Sequence, residues 1–266
     1  QAGKAITSGG SNTAIGYQSA MALTTGGNNI AIGYDSFKSA VDACNSNIAI
    51  GVQAMTAVDR GSDGSATVNG NVAIGYNALA GGDFVSADKD LVGNIAIGKN
   101  ALDATAANAQ TGTIAIGHEA LTSLTSGTLN TAIGYQSGDA LTIGGSNTLL
   151  GYRAGGAMVE DRNCVAIGRD ALVQSNGGGS DGSATDTNNT AVGAFAGDAL
   201  TNGANNTFLG SNTDGSGGSA VSQIVIGNGC TGTANTRVHI GNSSSHIYND
   251  YNSNATWTHS SDERQK

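Results

Sequence analysis

Along most of the chain, apolar residues come in short alternating groups closed by glycine. Asn12-Thr13-Ala14-Ile15-Gly16 recurs as Asn29-Ile30-Ala31-Ile32-Gly33 and as Asn47-Ile48-Ala49-Ile50-Gly51. The series continues to glycines 75, 98, 117, 134, 151, 168, 193, 210, 227 and 241, thirteen copies in all. The commonest spacing is 17 residues, and longer units carry insertions. Three residues before the glycine every copy has Thr, Ile or Val, and one residue before it Ile, Leu or Val. Strand side chains alternate, so these two positions share one face of a short strand. β-Branched residues suit a pleated surface. Between them nine copies have Ala, on the opposite face; the exceptions are Leu149, Phe208, Val225 and His239. The pattern predicts that the aliphatic face turns inward. The small-residue face is then expected to meet another backbone layer, packing on identical faces of other chains.

Four residues before the glycine, nine copies have Asn. Identical Asn residues stacked in a parallel solenoid form a hydrogen-bonded ladder. After the glycine come two variable residues, then Ala or Ser, as in Tyr76-Asn77-Ala78-Leu79 and Lys99-Asn100-Ala101-Leu102. A second short strand is predicted there, and segments such as Thr25-Gly26-Gly27-Asn28 close the coil as turns. Helix is the competing reading for His118-Glu119-Ala120-Leu121-Thr122-Ser123-Leu124, but flanking glycines leave it only about two turns. The expected fold is all-β: a parallel β-roll or β-solenoid of about 13 short coils. Residues 1–10 lead in, 11–241 form the repeat domain, 242–260 a polar cap or connector, and 261–266 a separate terminal segment. Insertions fall near 57–70, 82–93 and 174–188.

Composition supports a solenoid over an ordinary globule. The chain has 266 residues with 42 glycines, no proline, 5% aromatics and 12% charged residues. Low charge and regular Ile and Val are the wrong signature for disorder, and absent proline excludes collagen. No apolar run approaches the ~18 residues of a spanning helix. Gln1-Ala2-Gly3-Lys4 is not a signal-peptide core and lacks an initiator Met, as a processed product or fragment does. A net charge of −9 opposes nucleic acid and anionic membranes as partners. Cys44, Cys164 and Cys230 are too few and too scattered for a disulfide framework or metal cluster, and are expected to be small buried side chains.

Candidate chemistry is sparse. No dinucleotide fingerprint, phosphate loop or metalloprotease motif is present, and no cofactor or metal is expected. Asp83, Asp88 and Asp90 are the one group spaced to consider for calcium, against the simpler reading of solvated loop acids. His118, His239, His246 and His259 are not expected to cluster. Tyr17, Tyr34, Tyr76, Tyr135 and Tyr152 each directly follow a repeat glycine. They form either a stripe that stacks on sugar rings or a ladder packing coil on coil. Gly61-Ser62-Asp63-Gly64-Ser65-Ala66-Thr67 recurs as Gly179-Ser180-Asp181-Gly182-Ser183-Ala184-Thr185. With the loop around Phe84, these insertions are binding loops or solvated spacers; Asp63, Asp181 and Phe84 are their candidate contacts.

The Asn-x-Ala-Ile-Gly repeats, over roughly residues 11 to 241, resemble the heads of trimeric autotransporter adhesins and the same repeats of phage tail fibres. That resemblance implies parallel β-rolls assembled as a parallel homotrimer. The final Ser261-Asp262-Glu263-Arg264-Gln265-Lys266 resembles the start of the intramolecular chaperone of tail spikes, with Gln265 where that family usually has Leu. Carried over, Ser261 would be the nucleophile and Lys266 the base of a single self-cleavage before Asp262.

Together these readings predict a non-enzymatic, extracellular part of a phage tail fibre that attaches the virion to a bacterial glycan or protein receptor. Its partners would be itself as a homotrimer, that receptor, and other tail proteins on the N-terminal side. The nearest alternative is an adhesin head on a bacterial surface. An ice-binding solenoid would need a flat exposed Thr array, whereas the Thr positions are expected to look inward. A fibre-borne glycan depolymerase would need paired carboxylates across a groove.

Overall fold

A computed structural model describes residues 1–40, 42–58, 67–81, 90–105, 109–176, 185–251 and 258–259. It divides into two compact units, Gln1–Ile143 and Gly144–Lys266. Among the described residues there is no helix. The coils are parallel and stacked, making the chain a β-solenoid.

In the first unit, the strands Thr13–Ile15, Ile30–Ile32, Ile48–Ile50, Val72–Ile74, Ile95–Ile97, Ile114–Ile116 and Thr131–Ile133 pair in that order, all parallel. Register follows the motif, with Ala31 opposite Ala49 and Ala49 opposite Ala73. In the second unit, Thr148–Leu150, Val165–Ile167, Thr190–Val192, Thr207–Leu209, Ile224–Asn228 and Arg237–Asn242 do the same. The thirteen motifs are therefore thirteen strands. Parallel stacking ends at Gly241. Asn242 Oδ1 accepts the Ser244 and Ser245 backbone N–H groups, each at 2.9 Å. This turn sends His246–Asp250 back antiparallel, and Thr258–His259 pairs antiparallel on it.

The two strand faces are reversed from the sequence expectation. Ala31, Ala49, Ala73, Ala96 and Ala115 are buried inside their own coils. The flanking aliphatics point outward: Ile15 is 57% exposed and Leu209 47%. The small face is thus the solenoid interior and not a chain-to-chain contact. The reason is width. The interior is already filled from the opposite wall by Phe37, Met55, Leu79, Leu102, Leu121 and Leu172, all fully buried. Only a methyl group fits against them. Where the strand centre is large, the opposite wall shrinks: a Cβ on Gly197 would meet the Phe208 ring at 2.7 Å, and one on Gly155 would meet Leu149 at 3.0 Å.

The second strand expected directly after the glycine is not formed. That stretch is a turn in which alternate residues are left-handed, as in Asn77 (φ 52°) and Leu79 (φ 48°), or Asn100 (φ 54°) and Leu102 (φ 52°). Alternate left-handed residues keep this stretch from extending as a strand, although its N–H groups still bond to neighbouring coils, as Asn77 N–H to the Val52 carbonyl at 3.1 Å. The additional pairing occurs instead just before the Asn. Val68–Asn69, Leu91–Val92 and Gln110–Thr111 form a small parallel sheet in the first unit, and Asp161–Arg162 pairs with Thr185–Asp186 in the second.

The Asn ladder is present. Asn47 Nδ2 donates to Asn29 Oδ1 at 3.1 Å and to the Val68 carbonyl at 2.9 Å. Its Oδ1 accepts from the Asn71 N–H at 3.1 Å and Asn71 Nδ2 at 3.0 Å. Asn71 and Asn94 repeat the arrangement, and Asn189 and Asn206 repeat it in the second unit. Asn47, Asn71, Asn94 and Asn206 thereby each tie three successive coils while buried.

Candidate functional site

The tyrosine column takes its place from the glycine turn. The residue after each repeat glycine leaves the corner pointing outward, and parallel register puts successive ones on adjacent rungs. Tyr17, Tyr34, Tyr76, Tyr135 and Tyr152 are all exposed at 44–59%. Tyr17 and Tyr34 stack with centroids 5.4 Å apart and planes 13° apart. His118 and Tyr135 stack at 5.2 Å and 7°. The ladder and the exposed stripe are therefore one feature: the rings pack coil on coil and still present edges and outer faces to solvent. Val52 and Lys99 interrupt the column in the first unit.

In the second unit, the positions one and two residues after the repeat glycine carry charge. Arg153 Nη1 lies 3.7 Å from Asp170 Oδ1, and Arg169 Nε 4.0 Å from Asp170 Oδ2. The Arg169 guanidinium lies over the Phe195 ring, 4.4 Å from its centroid. Sequence reasoning missed this group. Its only signal was Arg153 and Arg169 falling two and one residues after their glycines.

Asp63, Phe84 and Asp181 lie outside the described residues, as do Ser261, Asp262 and Lys266. Asp83 and Asp88 do as well, while Asp90 Oδ1 accepts the Thr67 N–H at 2.8 Å, tying two coils together. Among the described residues no three potential metal ligands gather. The three cysteines are buried and form no disulfide among the described residues, and burial pushes the Cys164 thiol up to about 11.

The histidines do not all stay apart. His239 and His246 rings lie 5.2 Å from each other, and His239 stacks on Tyr248 at 5.6 Å. The antiparallel turn after Gly241 brings them together, which the parallel repeat could not forecast. His239 is fully buried, and its Nε2 accepts the Thr233 N–H at 3.3 Å, which requires the neutral ring. Burial, His246 and Arg237 together lower its pKa to about 4. A base depressed in the folded state stabilises folding above its unfolded pKa of ~6.5, and that stability is lost as pH falls through the folded value. The C-terminal hairpin should lose protection in hydrogen exchange between pH 6.5 and 4. A His239→Phe chain should keep it across that range.

A buried carboxyl works in the opposite sense. Asp161 is fully buried; its Oδ1 accepts Ser175 Oγ at 2.7 Å and Thr187 Oγ1 at 3.2 Å, and its Oδ2 has no hydrogen-bond partner. Burial raises its pKa above the usual carboxylate range. The folded state then prefers the protonated acid, so its penalty grows as pH rises through the unfolded value of ~3.9 toward the folded one. Asp161→Asn should raise the thermal midpoint at pH 7 more than at pH 3, where the acid is protonated in both states. Equal shifts at both pH values would contradict this assignment.

Among the described residues, Asp214 is a half-buried carboxyl hydrogen-bonded to Asp198. Burial and a hydrogen bond to Asp198 push Asp214 up to about 7. Comparison with protein-family models, curated proteins and solved structures finds no match to this chain.

Proposed function

We propose that the chain is the repetitive, receptor-binding part of a phage tail fibre, assembled as a parallel homotrimer that attaches to a bacterial surface glycan. The observation that carries this reading is the outward aliphatic face. In each unit the strands expose parallel rows of Ile, Val, Leu and Thr, including Ile15, Ile30, Ile74 and Ile133 in the first and Ile167, Leu209 and Ile240 in the second. Contiguous apolar rows of this kind are unusual on a monomer surface and mark an interaction site. A flat face repeated at the rung spacing is complementary to further copies of itself. The trimer interface is therefore assigned to these rows and no longer to the alanines. The stoichiometry of three comes from the resemblance to adhesin heads and tail fibres. A multivalent fibre suits a repetitive glycan surface, because linked weak sites gain avidity without new contacts.

Self-cleavage between Ser261 and Asp262 belongs to the same proposal and rests on the hexapeptide alone. An adhesin head on a bacterial surface uses the same fold and face. The outward orientation removes the original objection to ice binding, but Thr occupies only five of the thirteen outward positions three residues before the glycine, interrupted by Ile and Val. The test of attachment is adsorption of the fluorescently labelled chain to a panel of bacterial strains. Competition by extracted surface polysaccharide is expected. Absence of adsorption to every strain, or competition by surface protein extracts alone, would contradict the glycan reading.

A further inference from the structure

We propose that Tyr152, Arg153 and Arg169 form a subsite for a carboxylate-bearing sugar. This rests on the glycan-attachment reading and narrows it to acidic glycans. Leu150 pairs with Ile167, and Ile167 with Val192. The Asp170 N–H donates to the Tyr152 carbonyl at 2.9 Å, and the Phe195 N–H to the Arg169 carbonyl at 2.8 Å. The residues after the glycines therefore make two columns on three rungs: Tyr152, Arg169 and Ala194 in one, Arg153, Asp170 and Phe195 in the other. Rungs stand about 4.8 Å apart, so the group spans the reach of a short oligosaccharide.

Three features point to a ligand carboxylate. First, both guanidiniums are open, with side chains 47% and 59% exposed for Arg153 and Arg169, whereas Asp170 between them is only 13% exposed. Asp170 lies beyond good hydrogen-bonding distance of either, so it orients the two without saturating their N–H groups. Second, Phe195 supports the Arg169 plane from beneath by a cation–π contact, which holds the fork before any ligand arrives. Third, Tyr152, next to Arg153 in the chain and one rung from Arg169, is 47% exposed, a surface for the apolar face of a sugar. Two Arg and one Asp leave a local excess of positive charge on a chain of net charge −9. A planar guanidinium fork matches a carboxylate in a way that a neutral hydroxyl cannot use.

The test uses the full chain with oligogalacturonate, oligoglucuronate and oligosialic acid, each beside its carboxyl-reduced counterpart, on a glycan array and by calorimetry. At least one acidic probe is expected to bind and its reduced form to fail. Arg153→Gln and Arg169→Gln should each weaken that binding roughly tenfold or more, the usual loss for a charge-assisted hydrogen bond. Lys38→Gln should leave it unchanged. Thermal midpoints of the surface variants should match the parent, separating lost binding from lost folding. Equal binding of acidic and reduced probes, or arginine variants that bind like the parent, would overturn the subsite. Retained adsorption to bacteria with no acidic probe bound would overturn the subsite alone, whereas loss of all adsorption would overturn the attachment reading as well.

Discussion

Gly75→Val should destabilise the first unit by roughly 4 kcal/mol or more, enough to remove cooperative folding of the coils around it. Gly75 has φ 137°, a region that side chains rarely enter. A Cβ built there would overlap the Gly98 carbonyl, which belongs to a hydrogen-bonded backbone and cannot rotate aside. Gly33, Gly51 and Gly98 have the same φ range and the same overlap with the next repeat glycine. The internal control is Gly70. It also has positive φ, at 68°, but nothing stands within 4 Å of its would-be Cβ. Gly70→Ala should therefore lose only about 1 kcal/mol. Urea denaturation of the two variants separates close approach from conformational preference. A Gly75→Val midpoint near that of Gly70→Ala would contradict the packing described here.

Asn47→Ala is expected to lose about 3–6 kcal/mol, from one buried N–H left without an acceptor at ~1–3 kcal/mol and three further hydrogen bonds lost at ~0.5–1.5 kcal/mol each. The Asn71 N–H loses its acceptor, the Val68 carbonyl keeps only the Asn45 N–H, and Asn71 Nδ2 keeps only the Leu91 carbonyl. Asn29 Oδ1 keeps only the Asn47 backbone N–H. Asn47→Asp provides a sharper comparison because it keeps the shape. Its second oxygen would face Asn29 Oδ1 and the Val68 carbonyl, so two hydrogen bonds become two repulsions. The aspartate variant should be no more stable than the alanine variant at pH 7. An aspartate chain as stable as the parent would mean that shape, and not the amide ladder, holds these coils together.

Much of this architecture is legible in the residues themselves. The strand triplets, the glycine turn and the Asn ladder all follow from one alignment on the repeat glycine, because each position has a single physical demand. The orientation of the strand was not legible from alternation alone. Period-two patterning separates Ile48 and Ile50 from Ala49 but does not say which face looks inward. The informative residues are Met55, Leu79 and Leu102, large apolar side chains after the glycine, in the stretch first read as a strand. They fill the interior and leave room only for alanine on the facing strand. Their left-handed backbone is foreshadowed by Asn77 and Asn100, residue types that tolerate that conformation, two positions earlier.

The candidate site divides in the same way. The tyrosine column is visible because its spacing follows the glycines. The contact of Arg169 with Phe195 is not, because an insertion stands between them and only parallel register restores their adjacency. His239 and His246 meet through a reversal of strand direction that no repeat announces.

In the proposed trimer the exposed Ile, Val and Leu rows are covered by two further copies of the chain. Light scattering of the purified chain at micromolar concentration measures this directly. A mass about three times 26.2 kDa is expected, falling toward one chain when Ile50 and Ile74 in the outward rows are replaced by Lys. A folded monomer of 26.2 kDa with both rows intact would contradict it.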